Sequence, residues 1–224
     1  MTILCIETST SVCSAAICKD GVPFKQCISL EGSNHARLLP RYIEELLSYA
    51  REQALSIDAV ALSEGPGSYT GLRIGTSTAK GLCYGLNIPL IPVPTLDVLC
   101  QAARERLTIS DERLAVLLPM IDARRMEVYT AMNGETKAMV VENEDSLYAG
   151  SEEVYYFGDG AEKCSRIFTK PNWHYVPGIV PQAQYVGMLA AGGKRKVESK
   201  DLAYYEPFYL KEFIAAQSHV KGLV

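Results

Sequence analysis

The stretch Ser63 to Gly75 reads SEGPGSYTGLRIG and restricts the backbone more than any other part of the chain. It follows the short apolar run Ala59 to Leu62 and leads into a helical pattern, so five glycines and prolines fall at one strand-to-helix turn. Gly65 and Gly67 flank Pro66, which fixes one φ angle and removes one donor, while the glycines open backbone conformations closed to other residues. Ser68 or Thr70 can cap a helix running from Gly71. Such a turn presents main-chain N–H groups to an anion or to a closely docked segment of chain. The same glycines also serve a turn that only packs strand on helix, and both readings stay open.

Around this turn the chain reads as strands and helices in regular order. Ile3 to Ile6, Val12 to Cys18 and Phe24 to Leu30 are β-rich, and Asp20-Gly21 between the last two is a hairpin signal. Ser33 or Asn34 caps a helix to about Glu52, with Leu38, Leu39, Tyr42, Ile43, Leu46, Leu47 and Ala50 on one broad face. A second helix, about Gly71 to Leu86, carries Gly71, Gly75 and Ala79 at steps of four. Glycine costs a helix about 1 kcal/mol relative to alanine, so this row implies a packing requirement, met by a second helix or by the sheet beneath. Asn87 to Pro94 is a short buried strand before a helix from Thr95 to Arg106, and the polar stretch Arg104 to Arg113 reads as a join between lobes. Beyond it, Leu114 to Met120 and Glu127 to Met132 read as strands around Asp122 to Arg125, with a hairpin turn at Asn133-Gly134. Glu153 to Phe157 is a strand ending in the turn Gly158-Asp159-Gly160-Ala161, and Gln182 to Ala191 is a helix. Lys194, Arg195 and Lys196 form a basic loop, and the aromatic-rich tail Tyr204 to Ile214 can lie across either lobe.

Six segments carry a family likeness: the opening ILCIETST, the helix HARLLPRYIEELL, the turn GPGSYTGLRIG, and LLPMIDARRMEVY, FGDGA and EPFYLK in the second half. In that order the chain resembles the bacterial TsaB (YeaZ) family. The resemblance implies an α/β, actin-like or sugar-kinase-like fold of two small lobes, with mixed sheets opening on an antiparallel three-stranded meander. The expected division is residues 1–105 for the first lobe and 106–224 for a reduced second one. It also implies a scaffold subunit without catalysis of its own, needed for threonylcarbamoyl-adenosine (t6A) beside the tRNA anticodon. Its expected partners are the catalytic TsaD subunit and the TsaE ATPase, with tRNA met through the complex. A stand-alone ATP-dependent phosphotransferase of the same fold is the alternative.

Several residues carry the functional expectations. Kinases of this fold place an Asp at the first strand turn, as TsaB proteins usually do; here it is Glu7, which also suits a carboxylate bonding its own turn, Thr8 to Ser11. Glu7, Thr8, Gly65, Gly67, Ser68, Thr70, Gly71 and Arg73 are the candidate nucleotide or anion turn. Leu39, Tyr42, Ile43, Leu46, Gly71, Gly75 and Ala79 are the candidate partner interface, which could also join two copies of this chain. Related TsaD proteins carry HxxxH after a similar NxPxIPV strand; Thr95 and Leu99 stand at those places here, and neither suits a transition metal. His35, His174 and His219 are scattered, so no metal and no resident cofactor are expected, with nucleotide left to the complex interface.

A net charge of −4 argues against a major phosphate-backbone binder. The start MTILCIETST lacks the features of a secretory signal, and the uncharged stretch Gly81 to Leu96 holds three prolines and is short for a bilayer. Seven cysteines without CxxC spacing suit a reducing compartment, so the expected location is the cytoplasm.

Overall fold

The computed structural model describes residues 1–32, 34–107, 115–132, 134–192, 196–198 and 200–211. Ser33 as a cap, residues 108–113 of the polar join, Asn133, Lys194, Arg195, His219 and the tail beyond residue 211 lie outside the described residues.

The apolar runs ILCI and SAAIC are too continuous for strands with one wet face, and they form strands buried on both sides. Strands β1 (Thr2–Glu7), β2 (Cys13–Lys19) and β3 (Val22–Ser29) make an antiparallel meander, and β4 (Ala59–Gly65) and β5 (Leu90–Pro94) add in parallel. The order across this first sheet is β3-β2-β1-β4-β5. A second sheet has the order β10-β9-β6-β7-β8, built from β6 (Ala115–Asp122), β7 (Glu127–Met132), β8 (Glu135–Val140), β9 (Glu153–Phe157) and β10 (Trp173–Val176). Its pairings run antiparallel from β6 through β8 and parallel from β6 through β10. The second sheet therefore repeats the topology of the first, although no repeat shows in the letters.

Helices α1 (His35–Glu52) and α2 (Tyr69–Leu86) cover one face of the first sheet, where Leu4, Ile6, Ile17, Val60 and Leu62 meet Leu39, Ile43, Leu46 and Ala79. Helix α2 begins at Tyr69 because Ser68 Oγ accepts the Gly71 N–H, and it ends at Asn87 in the left-handed conformation. A split at residue 105 separates the strands of the two sheets, but each sheet takes a helix from beyond that split. Helix α3 (Thr95–Arg106) sends Leu99, Ala102 and Ala103 to Ile121 and Phe157 of the second sheet. In return α5 (Ala183–Gly192) covers the remaining face of the first sheet with Ala183, Val186 and Ala190, and its Gly187 lies directly on Cys5 and Cys18. The second sheet keeps only the single-turn α4 (Ala161–Cys164) where the first has α2. None of the described helices is long and apolar enough to cross a membrane.

Candidate functional site

Because β1 and β4 are parallel neighbours, the turns that follow them leave the sheet side by side. They are joined to each other. Ser68 N–H donates to the Ser9 carbonyl at 2.6 Å, and Thr8 Oγ1 donates to the Gly71 carbonyl at 2.8 Å. Three glycines make this approach possible. A Cβ on Gly67 would overlap the Ser9 carbonyl, one on Gly71 the Thr8 carbonyl, and one on Gly75 the Thr8 hydroxyl, with Leu62 Cδ1 3.1 Å away. From the far side, Thr95 Oγ1 accepts the Gly65 N–H at 3.1 Å, and His35 Nε2 bonds the Thr10 carbonyl at 2.8 Å.

Glu7 lies at the centre of this arrangement and is fully buried, as are Thr8 and Ser9. Its Oε1 accepts both Ser9 N–H at 2.6 Å and Ser9 Oγ–H at 2.5 Å, so the carboxylate braces its own turn. Its Oε2 has no hydrogen-bond partner among the described residues, although the Ser63 hydroxyl stands beside the carboxylate. Burial pushes the Glu7 carboxyl above the usual range, and the Ser63 and Ser9 hydroxyls and the Ser9 N–H pull partly back. The second sheet repeats the pattern. Gly160 N–H donates to the Met120 carbonyl at 3.1 Å, Asp159 Oδ1 accepts the Asp122 N–H at 2.9 Å, and burial raises the Asp159 carboxyl.

The structure brings Glu7, Thr8, Gly65, Gly67, Ser68 and Gly71 together and commits the amides of Gly65, Ser68 and Gly71 to internal acceptors. Thr70 is exposed. Arg73 turns to Tyr69, with Nη2 donating to its hydroxyl at 2.9 Å and the guanidinium 4.2 Å from the ring centre.

The partner-interface residues are placed differently from the expectation. Leu39, Ile43, Leu46, Gly71, Gly75 and Ala79 are buried against the first sheet, and Tyr42 is half-buried. Sheet burial of a Leu or Ile side chain is worth about 1.5–3 kcal/mol, so the broad face of α1 turns its largest side chains inward. The small row of α2 lets that helix settle on the Glu7 turn rather than on another helix. On the outer side, Pro40 and Arg51 of α1 and Thr78 of α2, with the edges of Ile43 and Leu47, line a shallow cavity of about 400 Å³. Beside them a second small row on α2, Ser77, Gly81 and Gly85, faces open space. Its four-residue spacing is as visible in the sequence as that of the first row.

Thr95 and Leu99 have structural employment, the first as the acceptor for Gly65 and the second in the core between α3 and the second sheet. Among the described residues no group of three or more His, Cys, Asp or Glu is placed to hold a metal ion.

Two sheets of one topology, each closed by a helix from the other half, define an actin-like α/β protein. Residues 29–155 match the family model described as "TsaD: tRNA N6-adenosine threonylcarbamoyltransferase". The chain is 35% identical over 129 residues to a Haemophilus influenzae protein named tRNA threonylcarbamoyladenosine biosynthesis protein TsaB, covering 58% of this chain and 52% of that one. The like-named Escherichia coli protein is 36% identical over 131 residues, covering 58% of this chain and 54% of the other. The chain thus spans about half the length of these curated relatives. In structure it is similar to YeaZ from Pseudomonas aeruginosa, with a TM-score of 0.69 and 25% identity over 93% of this chain and 99% of that one. The chain belongs to this family, on the side of its TsaB (YeaZ) members.

Gly75→Leu should therefore over-pack the contact between α2 and the first sheet and cost roughly 1–3 kcal/mol. Thermal unfolding checks this as a fall of about 2–4 °C per kcal/mol; an unchanged midpoint would contradict the inward placement. Glu7 gives a pH test. Its raised carboxyl keeps its proton in the folded chain to higher pH than in the unfolded chain, so stability falls as pH rises from the ordinary carboxylate range through the shifted value. Glu7→Gln removes that dependence, and urea unfolding should show the variant gaining on the parent as pH rises above the ordinary carboxylate range. A pH-independent difference would contradict the burial of the charge.

Proposed function

We propose that this chain is a non-catalytic scaffold subunit for t6A formation beside the tRNA anticodon. In this reading it works in the cytoplasm with a catalytic TsaD-type subunit and a TsaE-type ATPase and meets tRNA through the complex. It carries no metal or nucleotide of its own, and any nucleotide sits where the subunits meet. The names of the TsaB relatives support the pathway. The observation that carries the scaffold role is the use of Thr95 and Leu99, which are spent on the Gly65 turn and on the core where the notional metal ligands would stand. A stand-alone phosphotransferase is not favoured, since the turns it would need for phosphate bond to each other.

The outward side of α1 and α2 is the partner surface in this proposal. Gly81 and Gly85 have open space before them, so a helix from a TsaD-type subunit can come close there. The same side would join two copies of this chain when that subunit is absent. The test is reconstitution of tRNA modification from the chain, a TsaD-type and a TsaE-type protein: modification should need all three, and modification without this chain would overturn the proposal. Gly81→Arg should keep or slightly raise the melting point, because glycine is the poorer helix former, yet abolish co-purification with the TsaD-type subunit. Normal co-purification would move the interface elsewhere and leave the pathway assignment standing.

A further inference from the structure

The 18 residues of α2 include two cations, Arg73 and Lys80, and no carboxylate, in a chain whose net charge is −4. At 3.6 residues per turn Tyr69, Arg73, Lys80 and Tyr84 fall along one strip of the helix, and the chain from Ala203 to Tyr209 runs beside that strip in the opposite direction. Near the start of the helix the Arg73 guanidinium lies 4.2 Å from the centre of the Tyr69 ring and also bonds Tyr209, and the Tyr69 and Tyr209 rings are 4.5 Å apart. Two turns on, about 10 Å along the axis, Lys80 Nζ donates to the carbonyls of Ala203 and Tyr205 at 3.0 and 3.1 Å. Between those two carbonyls the chain sends out Tyr204, which is 87% exposed. Its neighbours Leu202 and Tyr205 are buried in the core under α1 and α2, so the ring stands on a firmly seated turn. Tyr84, 81% exposed, lies one turn beyond Lys80, where the strip meets Gly81 and Gly85.

Cations interleaved with aromatic rings suit an unpaired nucleotide strand, whose phosphates meet the charges while its bases lie on the rings, whichever bases they are. A duplex keeps the faces of its bases inside the stack and can use only the cations. An acidic peptide matches the cations and has no flat faces for the rings. The exposed Glu206 in the same segment keeps the strip short, fit for a few nucleotides.

We infer that this side of α2, with Ala203 to Tyr209, binds single-stranded RNA: unpaired bases stack on Tyr204 and on the Tyr69 and Tyr209 pair, and Arg73 and Lys80 meet phosphates. The choice of RNA rests on the t6A reading, in which the modified adenosine lies in an unpaired loop. The strip borders the proposed partner surface, so RNA held here would lie at the junction of the subunits.

The test uses the full chain and two labelled probes, a mixed-sequence RNA single strand and the same strand annealed to its complement, with binding read by fluorescence anisotropy over a series of salt concentrations. The single strand should bind more tightly than the duplex. Tyr204→Ala should weaken single-strand binding about tenfold with the melting point unchanged, and Tyr204→Phe should bind like the parent. Arg73→Gln should reduce the slope of log affinity against log salt by about 0.7. Equal affinity for the two probes, single-strand binding unaffected by Tyr204→Ala, or a poly-glutamate peptide bound as tightly as the RNA would each overturn the inference. Its failure is distinct from that of the t6A reading: reconstituted tRNA modification that needs this chain yet is indifferent to Tyr204→Ala would overturn the strip alone, and single-strand binding that fails only in Tyr204→Ala would uphold the strip even if modification proceeded without the chain.

Discussion

The contact on which this structure depends is the close approach of the turn after β4 to the turn after β1. Gly67, Gly71 and Gly75 lie where side chains would collide with Ser9 and Thr8, and the bonds Ser68 to Ser9 and Thr8 to Gly71 close the gap. Everything nearby is arranged to keep that contact. Glu7 accepts the Ser9 amide and hydroxyl from within, Thr95 holds Gly65 from α3, and His35 holds Thr10 from α1. Burying a carboxylate is costly, and the raised Glu7 carboxyl records that cost; two bonds from Ser9 are what it receives in exchange.

The same solution appears twice, since the second sheet repeats the strand order of the first and packs its own glycine turn against the end of β6. The reciprocal placement of α3 and α5 makes each sheet's core incomplete without the other half of the chain. The two sheets are thus joined by buried helices at the centre and, at the rim, by the contacts of residues 205–211 with Glu64 and Glu127. Among the described residues, the outer side of α1 and α2 brings Pro40, Arg51, Gly81 and Gly85 to the surface.

Much of this was legible in the sequence because it follows from local chemistry. The Asp20-Gly21 hairpin and the end of α2 before Asn87 are written in single residues, whereas the sequence offers both Ser68 and Thr70 as the cap of α2 and both a ligand-facing and a turn-bonding role for Glu7. What was not legible depended on how elements meet. The spacing of Gly71, Gly75 and Ala79 announces a close neighbour without saying whether it is a helix or a turn of the sheet, and the equal row at Ser77, Gly81 and Gly85 left the rotation of α2 undetermined until the sheet fixed it. The exchange of α3 and α5 between sheets has no local signature, because Ala and Leu on one helix face suit either sheet. The tail was expected across one lobe or the other, and it touches both.

A double-mutant cycle on Thr8 and Gly75 tests the central contact most directly. Thr8→Ala removes the hydroxyl with which a Cβ at position 75 would collide, so Gly75→Ala should cost less in the Thr8→Ala background than in the parent chain, by about 1 kcal/mol or more in urea unfolding. Equal costs in the two backgrounds, within about 0.3–0.5 kcal/mol, would contradict the claim that the glycines are there to let the two turns meet.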